Sequence, residues 1–223
     1  MTTTKHTAHW TLQALAQAGV KTIVFSPGSR NAPLVIAAEA LGSFTLEVLG
    51  DERSAAFNAL GRSLVTGAPV AVCCTSGSAL ANYYPAVLEA YYAHIPLIVL
   101  SADRPEERIN KGEGQTCVQR DIYEPHVAAS VHIEDDASAS EVVSQLDFAL
   151  RAQHVEMRPI HINLAFDEPL YAQELDPDPL EMDFSDDVMN FHGLPDNQPI
   201  PSFSDYKSVA VIAGQLLPQE SVK

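Results

Sequence analysis

Six short runs of β-branched and other apolar residues punctuate the chain up to Phe166: TIVF from Thr22, FTLEVL from Phe44, PVAVCC from Pro69, PLIVL from Pro96, SVHIE from Ser130 and PIHINLAF from Pro159. Between them, APLVIAAEAL, SAAFNALGRSLVTG, ALANYYPAVLEAYYA and SEVVSQLDFALRA repeat apolar positions at helical spacing. Each is long enough for a right-handed crossover between parallel strands. The alternation predicts an α/β fold, a doubly wound six-stranded parallel sheet with helices on both faces.

After Phe166 the pattern fades. Pro177, Pro179, Pro195, Pro199 and Pro201 lie among many Asp residues without sustained periodicity, and KSVAVIAGQLLPQESVK then reads as a new strand followed by a glycine turn. The predicted organisation is a domain over residues 1–170, a linker over 171–205 and, over 206–223, the start of a second domain that stops after its first strand.

Charge narrows the partners. The 29 Asp and Glu against 13 Lys and Arg give a net charge of −16, a field that repels both a phosphate backbone and an anionic bilayer, so no nucleic acid and no membrane is expected as a partner. An acidic small molecule would need arginines placed locally against that field. Cys73, Cys74 and Cys117 read as reduced thiols, since neighbours on a strand face opposite ways. His94, His126, His132, His154 and His161 lack metal-ligand spacing, and no metal ligand is predicted. The N-terminus lacks an apolar signal core, and no stretch approaches the roughly 20 apolar residues of a membrane span; cytoplasm is the expected location.

In an open α/β sheet ligands bind beyond the carboxyl ends of the strands. Four successive strand ends carry SPGSRNAP from Ser26, GDERSA from Gly50, TSGSALAN from Thr75 and SADRPEE from Ser101, and a parallel sheet brings them to one edge. SPGSR offers turn amides, the Ser29 hydroxyl and the Arg30 guanidinium to an anion, although a tight turn with a solvated arginine reads the same. In GDER, Asp51 suits a helix cap. Glu52 is left over, before a small-residue helix that lets a ligand approach and desolvate its carboxyl group. TSGSA lacks the G-x-S-x-G elbow of serine hydrolases and better suits a flat ring or an anion. SADRP brings Arg104, with Asp103 read as its surface partner, and KGEGQTC adds the Gln115 amide. Arg30 and Arg104 at one edge point to an acidic substrate.

Taken in order, SPGSRNAPL, GDERSAAFNALG, the run from Pro69 through SADRP, and GEGQ resemble one family over about Leu12 to Phe166: the thiamine-diphosphate-dependent 2-succinyl-5-enolpyruvyl-6-hydroxy-3-cyclohexene-1-carboxylate synthases of menaquinone biosynthesis. The resemblance implies a pyrimidine-binding domain in which Glu52 is the catalytic carboxylate. It hydrogen-bonds the aminopyrimidine so that the imino form can remove the thiazolium carbon proton. Pro27, Ser76, Gly77 and Asn82 would adjoin the cofactor, while Ser29, Arg30, Arg104 and Gln115 would hold the substrates, 2-oxoglutarate and isochorismate. It further implies a transferase, a homo-oligomer (dimer or tetramer), and Mg2+ held with the diphosphate by a C-terminal domain whose Gly-Asp-Gly motif is not found in this chain. The chain alone is therefore expected to be inactive and to bind thiamine diphosphate weakly. Two alternatives remain: a separate pyrimidine-binding subunit of a two-chain 2-oxo acid decarboxylase, and a non-catalytic flavodoxin-like module that binds an anion.

Overall fold

A computed structural model describes residues 1–175. All six predicted strands form, and two more flank them. In chain order the elements are β1 (Thr2–Thr3), α1 (His6–Gln17), β2 (Thr22–Phe25), α2 (Ala32–Leu41), β3 (Thr45–Val48), α3 (Glu52–Thr66), β4 (Val70–Cys74), α4 (Ser78–Ala81), α5 (Tyr84–Tyr92), β5 (Leu97–Asp103), β6 (Ala129–Ile133), α6 (Ala139–Glu156), β7 (Ile160–Ala165) and β8 (Gln173–Glu174). The main sheet has six parallel strands in the order β3-β2-β4-β5-β7-β6. Because β2 has β3 on one side and β4 on the other, the chain reverses direction across the sheet there. That reversal is the topological switch point, and ligand sites of open α/β sheets lie at its carboxyl end.

Strand pleating sorts the core into two clusters. Ile23, Phe25, Ala71, Cys73, Ile98 and Leu100 pack on one face with residues of α1, α2 and α6, whereas Val24, Val72, Cys74, Leu97 and Val99 pack on the other with residues of α3 and α5. Cys73 and Cys74 are both buried and free, one on each face. Each fully buried Leu or Ile of this kind contributes about 1.5–3 kcal/mol relative to exposure.

Three local details depart from the sequence reading. The helix expected over ALANYYPAVLEAYYA is two, because Pro85 falls in the first turn of α5, where its missing N–H costs nothing and the chain starts afresh. PLIVL is longer than expected, since β5 continues through Ser101, Ala102 and Asp103, so only Arg104 of SADR emerges from the strand. Finally, the linker expected from Tyr171 begins with ordered pairing: β8 pairs antiparallel with β1, with a hydrogen bond between His6 Nε2 and Glu174 at 2.5 Å beside it. The rest of the 171–205 linker and the 206–223 strand lie outside the described residues. Among the described residues no helix is long and apolar enough to cross a membrane.

The second face changes character beyond β5. Ser101 and Asp103 on β5, His161 and Asn163 on β7 and Ser130 and His132 on β6 occupy the pleat positions that carry Val or Leu elsewhere. Here the irregular segment from Arg104 to Ala128, which supplies the buried residues Gln119 and Tyr123, follows β5 in place of a helix. The Asn163 side chain ties the strand residues together. Its amide donates to Asp103 Oδ2 (2.9 Å) and His132 Nδ1 (2.8 Å), and its oxygen accepts from Ser101 Oγ (2.6 Å) and Gln119 Nε2 (2.9 Å). Ser101 in turn accepts from His161 Nε2 at 2.7 Å, and Tyr123 packs edge-on to the His161 ring.

Burial, followed by the neighbouring His132, pushes His161 down to about 3. Asp103 is pushed up by burial, against the hydrogen bonds from Asn163 and the Arg104 amide. A lowered histidine means that the unfolded chain takes up a proton the native state refuses. Stability is therefore complete above about pH 6.5 and is lost as pH falls toward 3, by up to about 1.4 kcal/mol per pH unit. Asp103 works in the opposite sense, losing stability as pH rises through its folded pKa. Urea unfolding of His161→Gln beside the parent isolates the histidine. The substitution should cost stability at pH 7, and that cost should shrink steadily between pH 6.5 and 4; a pH-independent difference would contradict the assignment.

Candidate functional site

The loops after β2, β3, β4 and β5 gather at the carboxyl edge of the sheet, as parallel strands require. At the switch point the first and third touch directly. A Cβ on Gly28 would lie 2.3 Å from Thr75 Cβ, so only glycine lets SPGSR close against TSGSA, and the Arg30 amide then donates to Thr75 Oγ1 (3.3 Å). Beneath them Ser26 Oγ meets Tyr83 Oη at 2.8 Å, and the fully buried Asn31 donates to the Ser26 carbonyl at 3.0 Å.

Arg30 is not a solvated arginine on a tight turn. It is 7% exposed, with Nη1 donating to the Phe166 carbonyl (2.8 Å) and Nη2 lying 3.2 Å from Glu168. Burial, then repulsion from Arg104, lowers its proton affinity, against the attraction of Glu168. Arg104 reaches across from β5, where its Nη1 donates to Ser76 Oγ (2.6 Å) and to the Gln115 carbonyl (2.8 Å) and its Nε to Glu113 (3.2 Å). The supposed surface pair of Asp103 and Arg104 is corrected by this geometry. Asp103 is wholly buried, its Oδ1 accepts the Arg104 backbone N–H at 2.8 Å, and it acts as the floor on which the arginine stands.

Asp51 caps α3 by accepting from the Ser54 amide at 2.8 Å. That leaves Glu52, the first residue of α3, half-buried and with no hydrogen-bond partner for its carboxylate among the described residues. A carboxyl group in such a position suits a donor or acceptor supplied by a ligand.

The remaining predicted residues divide. Ser76 is buried and tied to Arg104 and Gln115, and Gln115, exposed at φ 61°, shields it from outside. Gly77 sits at φ +82°, and a Cβ there would lie 2.9 Å from the Gln115 oxygen, so its place in the site is steric. Its amide is already committed to Gln119 Oε1 at 2.8 Å. Pro27, Ser29 and Asn82 are exposed, and Asn82 donates back to the Ser78 carbonyl at 3.3 Å. A cavity of about 340 Å³, lined by Pro27, Gly28, Val35, Leu46, Val48 and Tyr171 among others, opens beside the SPGSR turn on its α2 side. A larger groove of about 600 Å³ lies at the opposite edge, between Lys21, Phe57, Arg62 and Val70, and contains none of these loop residues. Among the described residues no group of His, Cys, Asp or Glu is arranged to hold a metal ion.

Sequence reasoning missed Gln119, which is fully buried. Its Nε2 donates to the Ala102 carbonyl (3.2 Å) and to Asn163, while its Oε1 takes the Gly77 amide, so one side chain fastens the TSGSA loop to β5 and β7. It also missed Thr75, Tyr83 and Arg108, the last of which pairs with Asp167 at 3.1 Å.

The convergent strand-end loops, the half-buried Glu52 carboxylate and the two arginines fit a domain that holds one end of an organic cofactor. Residues 5–124 match the family model described as thiamine pyrophosphate enzyme, N-terminal TPP binding domain. The chain belongs to this family. Among curated proteins it is 47% identical over 153 residues to the 2-succinyl-5-enolpyruvyl-6-hydroxy-3-cyclohexene-1-carboxylate synthase of Flavobacterium johnsoniae, covering 69% of this chain and 27% of that protein. It is 40% identical over 232 aligned positions to the synthase of Cytophaga hutchinsonii, covering 95% of this chain and 39% of that protein. A third synthase, from Bacteroides thetaiotaomicron, is 38% identical over 213 residues, or 92% of this chain and 38% of that protein. The family resemblance read from the four loops is borne out, and the chain spans well under half the length of these relatives.

Gln119→Ala would leave the Gly77 amide and the Ala102 carbonyl buried without partners, each costing about 1–3 kcal/mol. Urea unfolding should report a loss of about 2–4 kcal/mol, and amide hydrogen exchange should show Gly77 deprotected more than the strand residues of β4.

Proposed function

We propose that this chain is the pyrimidine-binding part of a thiamine-diphosphate-dependent transferase that decarboxylates 2-oxoglutarate and adds the resulting four-carbon unit to isochorismate in menaquinone biosynthesis. The observation that carries this reading is Glu52: a half-buried carboxylate at the start of α3, unpartnered among the described residues, at the strand edge that also presents Arg30 and Arg104. When bound, thiamine diphosphate supplies the nucleophilic carbon that attacks the 2-oxo group.

The chain's own residues then have separable tasks. Glu52 meets a ring nitrogen of the aminopyrimidine and holds or yields a proton there, a task for which Asp51 frees it by capping the helix. Pro27, Ser76, Gly77 and Asn82 border the ring, with Gly77 contributing the absence of a side chain. Ser29, Arg30, Arg104 and Gln115 hold substrate carboxylates. The two guanidiniums supply positive potential that a protein of net charge −16 otherwise denies to a dianion.

Supporting the reading are the synthases named above, two of which are similar to this chain over more than nine-tenths of its length. Mg2+ and the diphosphate would be held outside the described residues, and the complete site would form between this domain and a diphosphate-binding domain of a second subunit in a cytoplasmic dimer or tetramer. The domain would span residues 1–170, with 171–205 as a linker.

A chimera tests the proposal. Joining this chain to the remaining carboxyl-terminal part of the Cytophaga hutchinsonii synthase should give an enzyme that releases carbon dioxide from 2-oxoglutarate and consumes isochorismate. In that chimera Glu52→Gln should lower turnover by about 10²-fold or more, the range of general acid–base contributions, with little change in fold. A Glu52→Gln chimera as active as its parent would remove Glu52 from the chemistry.

A further inference from the structure

At the carboxyl edge of the sheet Arg30, Arg104 and Arg108 are each met by the protein's own carboxylates. Arg30 lies 3.2 Å from Glu168, Arg104 lies 3.2 Å from Glu113, and Arg108 lies 3.7 Å from Glu113 and 3.1 Å from Asp167. The pairs are unequal. The Arg30 side chain is 8% exposed and has its Nη1 fixed on the Phe166 carbonyl, yet its buried Nε–H has no partner among the described residues. Glu168, whose side chain is 57% exposed, meets only the Nη2 end. A carboxylate placed squarely on the Nε–Nη2 edge would satisfy both donors, which is the geometry guanidinium groups favour. The most buried cation of the edge is thus half satisfied by a carboxylate that loses little by leaving for water.

Glu113 is shared between two cations and has somewhere to go. Arg104 offers it Nε while spending Nη1 on Ser76 and the Gln115 carbonyl, and Arg108 holds its other oxygen. Leaving Arg104 would therefore not leave Glu113 uncompensated.

We infer that Glu168 and Glu113 are placeholders for ligand carboxylates. They neutralise Arg30 and Arg104 while the site is empty, and a dicarboxylate binds by exchanging with both, Glu168 passing to solvent and Glu113 moving onto Arg108. This rests on the reading of Arg30 and Arg104 as substrate-holding groups and extends it: the site's preference for ligands with two carboxylates comes from having two internal competitors to displace. A monocarboxylate can displace only one.

The experiment is a calorimetric titration of the 223-residue chain with succinate at low ionic strength. Glu113→Gln and Glu168→Gln should each tighten succinate binding about two- to fivefold, as expected for losing one competing ion pair, and the double variant about tenfold. Arg108→Gln should weaken binding in the parent but not in the Glu113→Gln background, since a placeholder that is gone needs no second partner. Glu107→Gln is the control, because it removes the same charge from an exposed residue two positions after the Pro105 turn that makes no ion pair among the described residues, and should leave the affinity within about 1.3-fold. If Arg104→Gln abolishes binding while Glu113→Gln and Glu168→Gln behave like Glu107→Gln, the substrate reading stands and the exchange is overturned. If no variant binds succinate, the double glutamine variant included, both fall.

Discussion

A fully used amide on β7 sets the terms for this domain. Asn163 donates twice and accepts twice within the buried face of β5, β6 and β7, and each of its partners is thereby fixed in rotamer and protonation. The ring of His132 must accept at Nδ1, which leaves Nε2 to donate to Glu134, and Asp103 must accept, which leaves its other oxygen for the Arg104 amide. In a low-dielectric interior such a network is costly when any member is missing and rigid when complete. Its rigidity reaches the functional edge through two residues: Asp103, which seats Arg104, and Gln119, which seats the TSGSA turn.

That support bears on how an acidic protein can attract an anion. The net charge works against it at long range, where salt screens the effect, and the arginines work for it at short range, where burial sharpens it. Burial and then the charge of nearby Arg104 lower the proton affinity of the Arg30 guanidinium. Holding two like charges near one another requires backbone and side-chain acceptors on their far sides, and the Phe166 carbonyl, the Gln115 carbonyl and Ser76 provide them. The chain invests structure from β7, from the loop after β5 and from the turn after β4 in positioning two guanidiniums.

The six strands of the main sheet, their parallel direction, helix placement on each face and the convergence of the four loops were legible in the sequence, because each follows from periodicity in the local chain. The opposite faces of Cys73 and Cys74 were legible for the same reason. Gln119 was not, because a single glutamine in an irregular segment carries no local signal; its importance comes from Gly77, Ala102 and Asn163, which are distant in sequence and meet only in the fold. Asp103 was misread for a related reason. An acidic residue next to an arginine looks like a surface pair until the strand is seen to run through it, with Asn163 beside it on β7. The roles of Pro27, Ser29 and Asn82 stand on resemblance, since their exposed side chains make no contact among the described residues that distinguishes a site from a surface. The clasp of β1 and β8 went unseen because two-residue strands have no period to detect.

That clasp carries a topological meaning. By pairing Thr2–Thr3 with Gln173–Glu174, and reinforcing the join with His6 on Glu174, the fold brings the beginning of the domain and its last described strand together. Main-chain pairing thereby closes the segment between them into one long loop. The entropy cost of closing a loop rises only slowly with its length, so two strands of two residues can fasten a segment this long at little cost beyond that of the sheet it spans.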